Sequence, residues 1–291
     1  MDIPRSLSGL LTGLVDYAGL FPPSQLDMAS TVGNYAAYRQ DRYAWALGRL
    51  IVPAPRFAEF VTAFEALDHA PAQPWPISVL VGDTASDFPR LPLSDPRFRI
   101  DTAELKASTP AAIHMALEHL PPGVTPYFEL PLAGDLPDLV TTLAATGARA
   151  KVRTGGITPD LFPTPAELLR FMRTCFAAGV PFKATAGLHH PLRAAYRLTY
   201  APDSAAAPMF GFVNVFLTAA ALLAGATEAQ AAALLVESNP HSLEWSAAGV
   251  RWRDLLIESA TLEQARAHSA IAFGSCSFIE PIEDLQTLSL L

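Results

Sequence analysis

The chain has 291 residues, of which 51% are hydrophobic and only 16% charged, and it carries a net charge of −8. That length suits one large domain or two small ones, and the composition supplies a sizeable buried core. The acidic balance and the lack of any basic run argue against a nucleic-acid partner. Cys175 and Cys276 stand far apart without metal-ligand spacing, so they are expected to be reduced thiols of a cytoplasmic protein.

The first residues lack a basic region and a small-residue cleavage site, so no signal peptide is expected. Residues 13–21 (GLVDYAGLF) read as a first strand with Asp16 near its end, stopped by Pro22-Pro23. Ser24 or Asp27 caps a helix through Tyr38, with Met28, Val32, Tyr35 and Tyr38 at helical spacing. Residues 45–52 (WALGRLIV) give a second strand, and 57–67 a helix with Phe57, Phe60, Val61 and Phe64 on one face. The apolar run 77–81 (ISVLV) has the pattern of a strand buried on both faces of a parallel sheet. Residues 98–106 (FRIDTAELK) form the fourth strand and carry Asp101, Glu104 and Lys106. A helix over 111–120 leads to a fifth strand at 125–130 (TPYFEL), with Glu129 near its end, and a short helix follows at 136–145.

The sixth and seventh strands lie in AKVRTGG (150–156) and PFKATAGLHH (181–190), joined by a helix over 165–178 whose Thr164-Pro165-Ala166-Glu167 start has capping residues. Residues 191–208 are a polar, Ala-rich loop and a lid candidate. Helices are expected at 212–223, 227–237 and 262–268; the apolar run 213–224 is too short to span a bilayer and carries Asn214, so no membrane partner is expected. Residues 269–278 (SAIAFGSCSF) give the eighth strand and its Gly/Ser loop.

Eight strands alternating with helices indicate an α/β fold of the (β/α)8 TIM-barrel type, a single domain over 1–291 with a loop and helical insertion at about 191–268. An open doubly wound sheet is the alternative. A competing register takes 211–217 as the eighth strand. The barrel is preferred because polar residues recur near the carboxyl ends of the strands, the active-site rim of such barrels.

Three of the 20 basic residues are lysines, Lys106, Lys151 and Lys183, and all sit at strand ends. Only lysine can lose its proton and attack a carbonyl. Strand alternation puts Lys151 and Arg153 on one face and Lys183 and Thr185 on one face of neighbouring parallel strands. A second ammonium and a guanidinium beside Lys151 would lower its pKa to about 7–8. Lys151, Arg153, Lys183 and Glu129 are therefore expected to converge at the carboxyl end of the barrel, with Glu104 or Lys106 adjoining.

Lys151-Val152-Arg153-Thr154-Gly155, Phe182-Lys183-Ala184-Thr185-Ala186-Gly187 and Phe273-Gly274-Ser275-Cys276-Ser277 together resemble the deoxyribose-phosphate aldolase family, class I aldolases on this fold. These motifs cover 16 of the 291 residues. The resemblance implies that Lys151 forms a Schiff base and that Lys183 lowers its pKa. An acid on the middle strands, Asp101 or Glu104, would assist proton transfer, and an anion would sit at Gly274 and Ser275. Arg153 and His189-His190 depart from the family's pattern, and with the long 191–268 segment they make deoxyribose phosphate a poor substrate. Arg153 suggests instead a carboxylate at the reacting centre.

The leading expectation is a lysine-dependent, aldolase-type carbon–carbon lyase needing no cofactor, acting on a small anionic carbonyl compound, with a homo-oligomer possible. Its catalytic candidates are Lys151, Lys183, Glu129, Glu104 and Asp101, with Asp16 and the histidines in the wider pool of acids and bases. Its binding candidates are Arg153, Thr154, Gly155, Thr185, Gly187, His189, His190, Gly274 and Ser275, the last two with Gly187 forming an anion site. Two other readings are a metal-dependent barrel lyase or isomerase using Glu129, Asp101 and a histidine, and a non-catalytic barrel that binds an anionic metabolite. No H-x-H or H-x-x-x-H pair supports the metal.

Overall fold

The computed structural model describes residues 3–68 and 72–291. In chain order the first half runs α1 (Arg5–Leu11), β1 (Val15–Tyr17), α2 (Met28–Tyr38), β2 (Leu47–Pro53), α3 (Phe57–Glu65), β3 (Trp75–Leu80), α4 (Thr84–Asp87), β4 (Phe98–Lys106), α5 (Pro110–Leu117), β5 (Thr125–Glu129) and α6 (Leu136–Thr146). The second half runs β6 (Arg149–Arg153), α7 (Pro165–Ala177), β7 (Phe182–Thr185), β8 (Ala194–Arg197), β9 (Ala206–Met209), α8 (Phe212–Leu223) and α9 (Glu228–Leu235). It ends with β10 (Leu243–Trp245), β11 (Gly249–Trp252), β12 (Leu255–Glu258), α10 (Ser259–His268), β13 (Ala270–Ser275) and α11 (Ile279–Thr287).

Eight strands close into a parallel barrel in the order β1-β13-β7-β6-β5-β4-β3-β2, with helices between them: a (β/α)8 TIM barrel. Local chemistry sets the helix starts. Asp27 caps α2 by accepting from the Ser30 N–H, and Thr164 with Glu167 forms a capping box on α7. Apolar faces then seat the helices on the barrel, as where Phe57, Phe60 and Phe64 of α3 meet Trp75 and Phe98.

The eighth barrel strand is β13, whereas 211–217 opens α8, with Gly211 as its N-cap. A Cβ on Gly211 would overlap the Pro191 carbonyl oxygen, so the chain crosses itself closely there. Phe273 of β13 stacks on Phe212 and lies against Phe216, both of α8. Its side chain thus faces outward onto a helix. Its neighbour Gly274 faces inward, since a Cβ there would meet Ile51 Cδ1 at 3.1 Å and Thr185 Oγ1 at 3.6 Å.

α1, the lid segment and residues 243–258 are among the elements that differ from the sequence expectation. α1 has Pro4 as its N-cap and no side-chain cap; it holds through burial of Leu7, Leu10 and Leu11 and an Arg5–Glu263 ion pair with α10. The guanidinium of the half-buried Arg266 donates to the carbonyls of Leu10, Thr12, Ala270 and Ile271, joining the end of α1 to the start of β13. The lid segment is an antiparallel hairpin, β8–β9, and its Leu198, Ala207 and Met209 pack with Tyr196 and with Phe162 from the loop after β6. Residues 243–258 form an antiparallel three-stranded sheet, β10–β11–β12, that the sequence pattern did not reveal; its strands are three or four residues long. Among the described residues no helix is long and apolar enough to cross a membrane.

Phe273 is fully buried between the barrel and α8. Phe273→Ala is expected to cost about 3–5 kcal/mol of stability in chemical denaturation, the penalty for emptying a buried aromatic site. A cost under about 1 kcal/mol, as for a surface change, would reject this packing.

Candidate active site

The barrel interior holds a buried ionic cluster. In the sheet register Glu129 pairs with Lys151, and Lys151 with Lys183, so the three side chains start from neighbouring positions on β5, β6 and β7. Lys151 Nζ lies 2.9 Å from Glu104 Oε2 and 3.0 Å from Glu129 Oε2. Lys183 Nζ donates to Glu104 Oε1 at 2.5 Å and to Asp16 Oδ2 at 2.6 Å. The two ammonium groups therefore share one carboxylate, Glu104.

Every carboxylate oxygen in the cluster has a donor. Ser78 Oγ donates to Glu104 Oε1 at 2.8 Å, and the Arg49 N–H to Asp16 Oδ1 at 2.7 Å. Arg153 Nε reaches Glu129 Oε1 at 3.4 Å. Gly48 makes room for Asp16, since a Cβ there would overlap the carboxylate. Lys183 also lies 5.7 Å from the Tyr127 ring centroid. Three cations (Lys151, Lys183, Arg153) meet three anions (Asp16, Glu104, Glu129), so the cluster is neutral as a whole.

Pairing outweighs burial at each shifted group. Burial alone would raise the Glu104 carboxyl, but Lys151 and Lys183 hold it well below the usual carboxylate range. Glu129 is likewise lowered: burial opposes, and Lys151 and Arg153 prevail. For Lys183 burial works against the ammonium, yet Asp16 and Glu104 raise its pKa above the ordinary lysine value. Lys183 is thus a fixed positive charge.

The structure brings Lys151, Lys183, Glu104, Glu129 and Arg153 together and adds Asp16. It departs from the sequence expectation in the charges beside Lys151. The nearest are the Glu104 and Glu129 carboxylates, and Lys183 is reached only through Glu104. Asp101 does not join the cluster. It sits at a bulge, with Ile77 opposite Ile100 but Ser78 opposite Thr102, and its carboxylate is taken by Arg49 at 2.6 Å and Arg99 at 2.9 Å. The bulge shifts the strand's alternation by one residue, which brings Glu104 to the lysines.

The binding candidates fall in different places. Thr154 is buried, and its hydroxyl donates to the carbonyls of Ala186, at 2.5 Å, and Thr185. Gly155 lies against the Phe162 ring, and Gly187, at φ +72°, packs on Gly155. These residues tie the loops after β6 and β7 together. Thr185 and Gly274 share the interior face of β7 and β13. Ser275 shares the outward parity of Phe273 and is 1% exposed, so the expected cradle of Gly187, Gly274 and Ser275 lacks the Ser275 side chain. His190 Nδ1 lies 2.5 Å from Asp284 Oδ2, and its ring stacks on Tyr196 of the hairpin. His189 Nδ1 lies 3.3 Å from Glu280 Oε2 on α11. Both histidines are thus engaged away from the lysines.

A cavity of about 600 Å³ opens at the carboxyl end between the loops after β4, β5 and β6. Glu129, Arg153 and Lys106 line it beside Leu132 and Phe162. Glu129 connects this cavity to Lys151, whose side chain is only 5% exposed. Among the described residues Lys106 forms no ion pair, and no group of three or more His, Cys, Asp or Glu side chains could hold a metal ion.

Sequence reading passed over Ser78 and Gly48. The one available signal was a polar residue inside the apolar ISVLV run, where burial on both faces demands a partner for the hydroxyl.

Glu104→Gln would leave two buried ammonium groups short of a counter-charge and is expected to cost about 3–5 kcal/mol. The folded-state carboxyl lies below its ordinary 4.5, so its contribution is complete above that pH and is lost as the pH falls through the lowered value. Denaturation curves for wild type and Glu104→Gln should converge as the pH is lowered below 4.5; a constant gap would reject the linkage.

Comparisons of this chain with protein-family models, with curated proteins and with solved structures gave no match.

Proposed function

We propose that the protein is a lysine-dependent lyase that cleaves or forms a carbon–carbon bond in a small anionic carbonyl compound, through a Schiff base on Lys151. The observation that carries this reading is Glu104, one buried carboxylate bridging the two lysine ammonium groups. The eight-stranded α/β barrel is a scaffold that supports many enzymes, and its carboxyl-end rim is where their sites lie.

The cluster supplies each role that imine chemistry needs. Lys151 must first give up a proton, and Glu129 accepts it 3.0 Å away at the edge of the cavity. The neutral amine then attacks the substrate carbonyl carbon to form a carbinolamine. Loss of water, with a proton delivered to the leaving hydroxyl by Glu129, leaves a protonated imine. Its positive charge takes the place of the ammonium between Glu104 and Glu129. Glu129, a carboxylate again, takes the proton of the β-hydroxyl; the bond between the α and β carbons breaks, its electron pair moves into the imine to give an enamine, and the β carbon leaves as the carbonyl fragment. Protonation of the enamine carbon and hydrolysis of the imine return the amine and the second product. Lys183 stays charged throughout and holds Glu104 in its ionised, bridging position. Arg153 and Lys106, on the cavity wall, attract the substrate's anionic group.

The aldolase resemblance supports the same roles. It implies an acid on the middle strands that assists proton transfer, and Glu104 of β4, in contact with both lysines, is the candidate for that role. The metal-dependent reading has less support, because each cluster carboxylate faces an ammonium instead of converging on a free centre.

Incubation with pyruvate or glycolaldehyde followed by borohydride should leave a reduced adduct on the peptide containing Lys151, detected by mass spectrometry. Lys151→Met and Lys151→Arg should both abolish it, since a guanidinium forms no imine. Lys183→Met leaves the full charge of Glu104 to Lys151, so trapping should begin at higher pH than in wild type. An adduct on Lys183 alone would reverse the assignment, and no adduct across a panel of keto acids and aldehydes would sink it.

A further inference from the structure

A second cluster lies outside the lysine site, built from segments far apart in sequence. Cys276 follows directly on β13, two residues beyond the inward-facing Gly274. Its Sγ lies 3.9 Å from His189 Nδ1, on the loop after β7, and 3.8 Å from Tyr200 Oη, in the turn of the β8–β9 hairpin. Glu280 of α11 holds both neighbours: its Oε2 is 3.3 Å from His189 Nδ1 and 3.3 Å from Tyr200 Oη. A cavity of about 310 Å³ lies alongside, lined by His189, Tyr200, Glu280 and Thr199.

We propose that Cys276, which lies behind the lining residues His189 and Tyr200, is a nucleophile that adds reversibly to small aldehydes entering from this cavity. The sulfur passes its proton to His189 Nδ1 and, as a thiolate, attacks the carbonyl carbon, forming a carbon–sulfur bond while the carbonyl π pair moves to oxygen. The His189 Nδ1–H supplies the proton to that oxygen, giving a hemithioacetal, and takes it back on release. No oxidant or reductant is needed. His189 and Tyr200 both stand within 4 Å of Sγ, so the oxygen of a carbon bonded to sulfur falls within reach of a proton donor. The small cavity and the 5% exposure of Cys276 restrict the partner to a few heavy atoms.

The electrostatics agree with this geometry. Burial opposes ionisation of the thiol, but His189 and the Ser24 N–H and hydroxyl hold the Cys276 pKa below the ordinary thiol value of 9.0. Burial likewise opposes the imidazolium, while Cys276 and Glu280 push His189 up to about 9. The opposing charge is Glu280, itself held low by His189, with His190 nearby. Tyr17 of β1 and Tyr200 are the remaining titratable neighbours, and both have raised pKa values and remain neutral near pH 7. Cys175 is an internal control: it is fully buried, and burial alone pushes its thiol pKa well up.

The test uses the full chain with iodoacetamide and peptide mass spectrometry, in wild type and in Lys151→Met. Alkylation should fall on Cys276 and spare Cys175, with a pH onset below the ordinary thiol value of 9.0. His189→Gln should move that onset up and slow labelling at pH 7 by roughly ten-fold, one unit of pKa. Tyr200→Phe, a change at a half-exposed side chain, should move it in the same direction by less. Glycolaldehyde should protect Cys276, and dilution should reverse the protection. Protection should persist in Lys151→Met, which separates this site from the imine. An ordinary thiol profile, an onset unmoved in both variants, or no protection by glycolaldehyde would overturn the proposal.

Discussion

The carboxylate of Glu104 is the interaction on which the interior of this barrel depends. It sits fully buried between two ammonium groups on adjacent strands, and among the described residues no other carboxylate pairs with both. Two lysines on neighbouring positions of a closed barrel would repel each other at low dielectric, where charge interactions are strong. With Glu104 between them the repulsion becomes a bridge, and Asp16 and Glu129 complete the balance on either side. Such networks are costly when partly satisfied. Here each of the carboxylate oxygens has a donor, two of them from Ser78 and from a backbone N–H on β2.

That balance shapes the backbone around it. The bulge at Asp101 puts Glu104 inside and sends Asp101 to Arg49. The missing side chain at Gly48 leaves the space that Asp16 occupies. Thr154 clamps the loops after β6 and β7 through the Ala186 carbonyl, and Ala186 takes a left-handed backbone conformation at φ +61°. A non-glycine residue pays for that conformation with about 1–2 kcal/mol. Its place, directly after the strand that carries Lys183, fits the tendency of strain to collect beside functional groups.

The carboxyl-end rim has two chemically different sides. Around β4, β5 and β6 a cavity joins cations to apolar walls and touches the lysine cluster through Glu129. Around β7, β13 and α11 lies the thiol, imidazole and carboxylate cluster, with the hairpin laid over it through Tyr200 on Glu280 and Tyr196 on His190. The hairpin also packs on Phe162, a residue lining the first cavity, so the two sides share one covering element.

Periodicity and capping residues made the barrel legible in the sequence. β4 spans 98–106 and α8 spans 212–223 as their patterns indicate, because alternation and helical spacing record which face is buried. The pairing of Lys151 with Lys183 was legible too, since a strand–helix–strand unit makes parallel neighbours and strand parity then aligns their faces. The short antiparallel strands of 243–258 were not, because three or four residues carry too little pattern. The choice between Asp101 and Glu104 belonged to tertiary structure alone. One inserted residue inverts every face downstream, and no local propensity marks where a ladder slips. The meeting of Cys276, His189, Tyr200 and Glu280 was decided in the same way: chain separations of up to 91 residues, from His189 to Glu280, are closed only when the barrel closes.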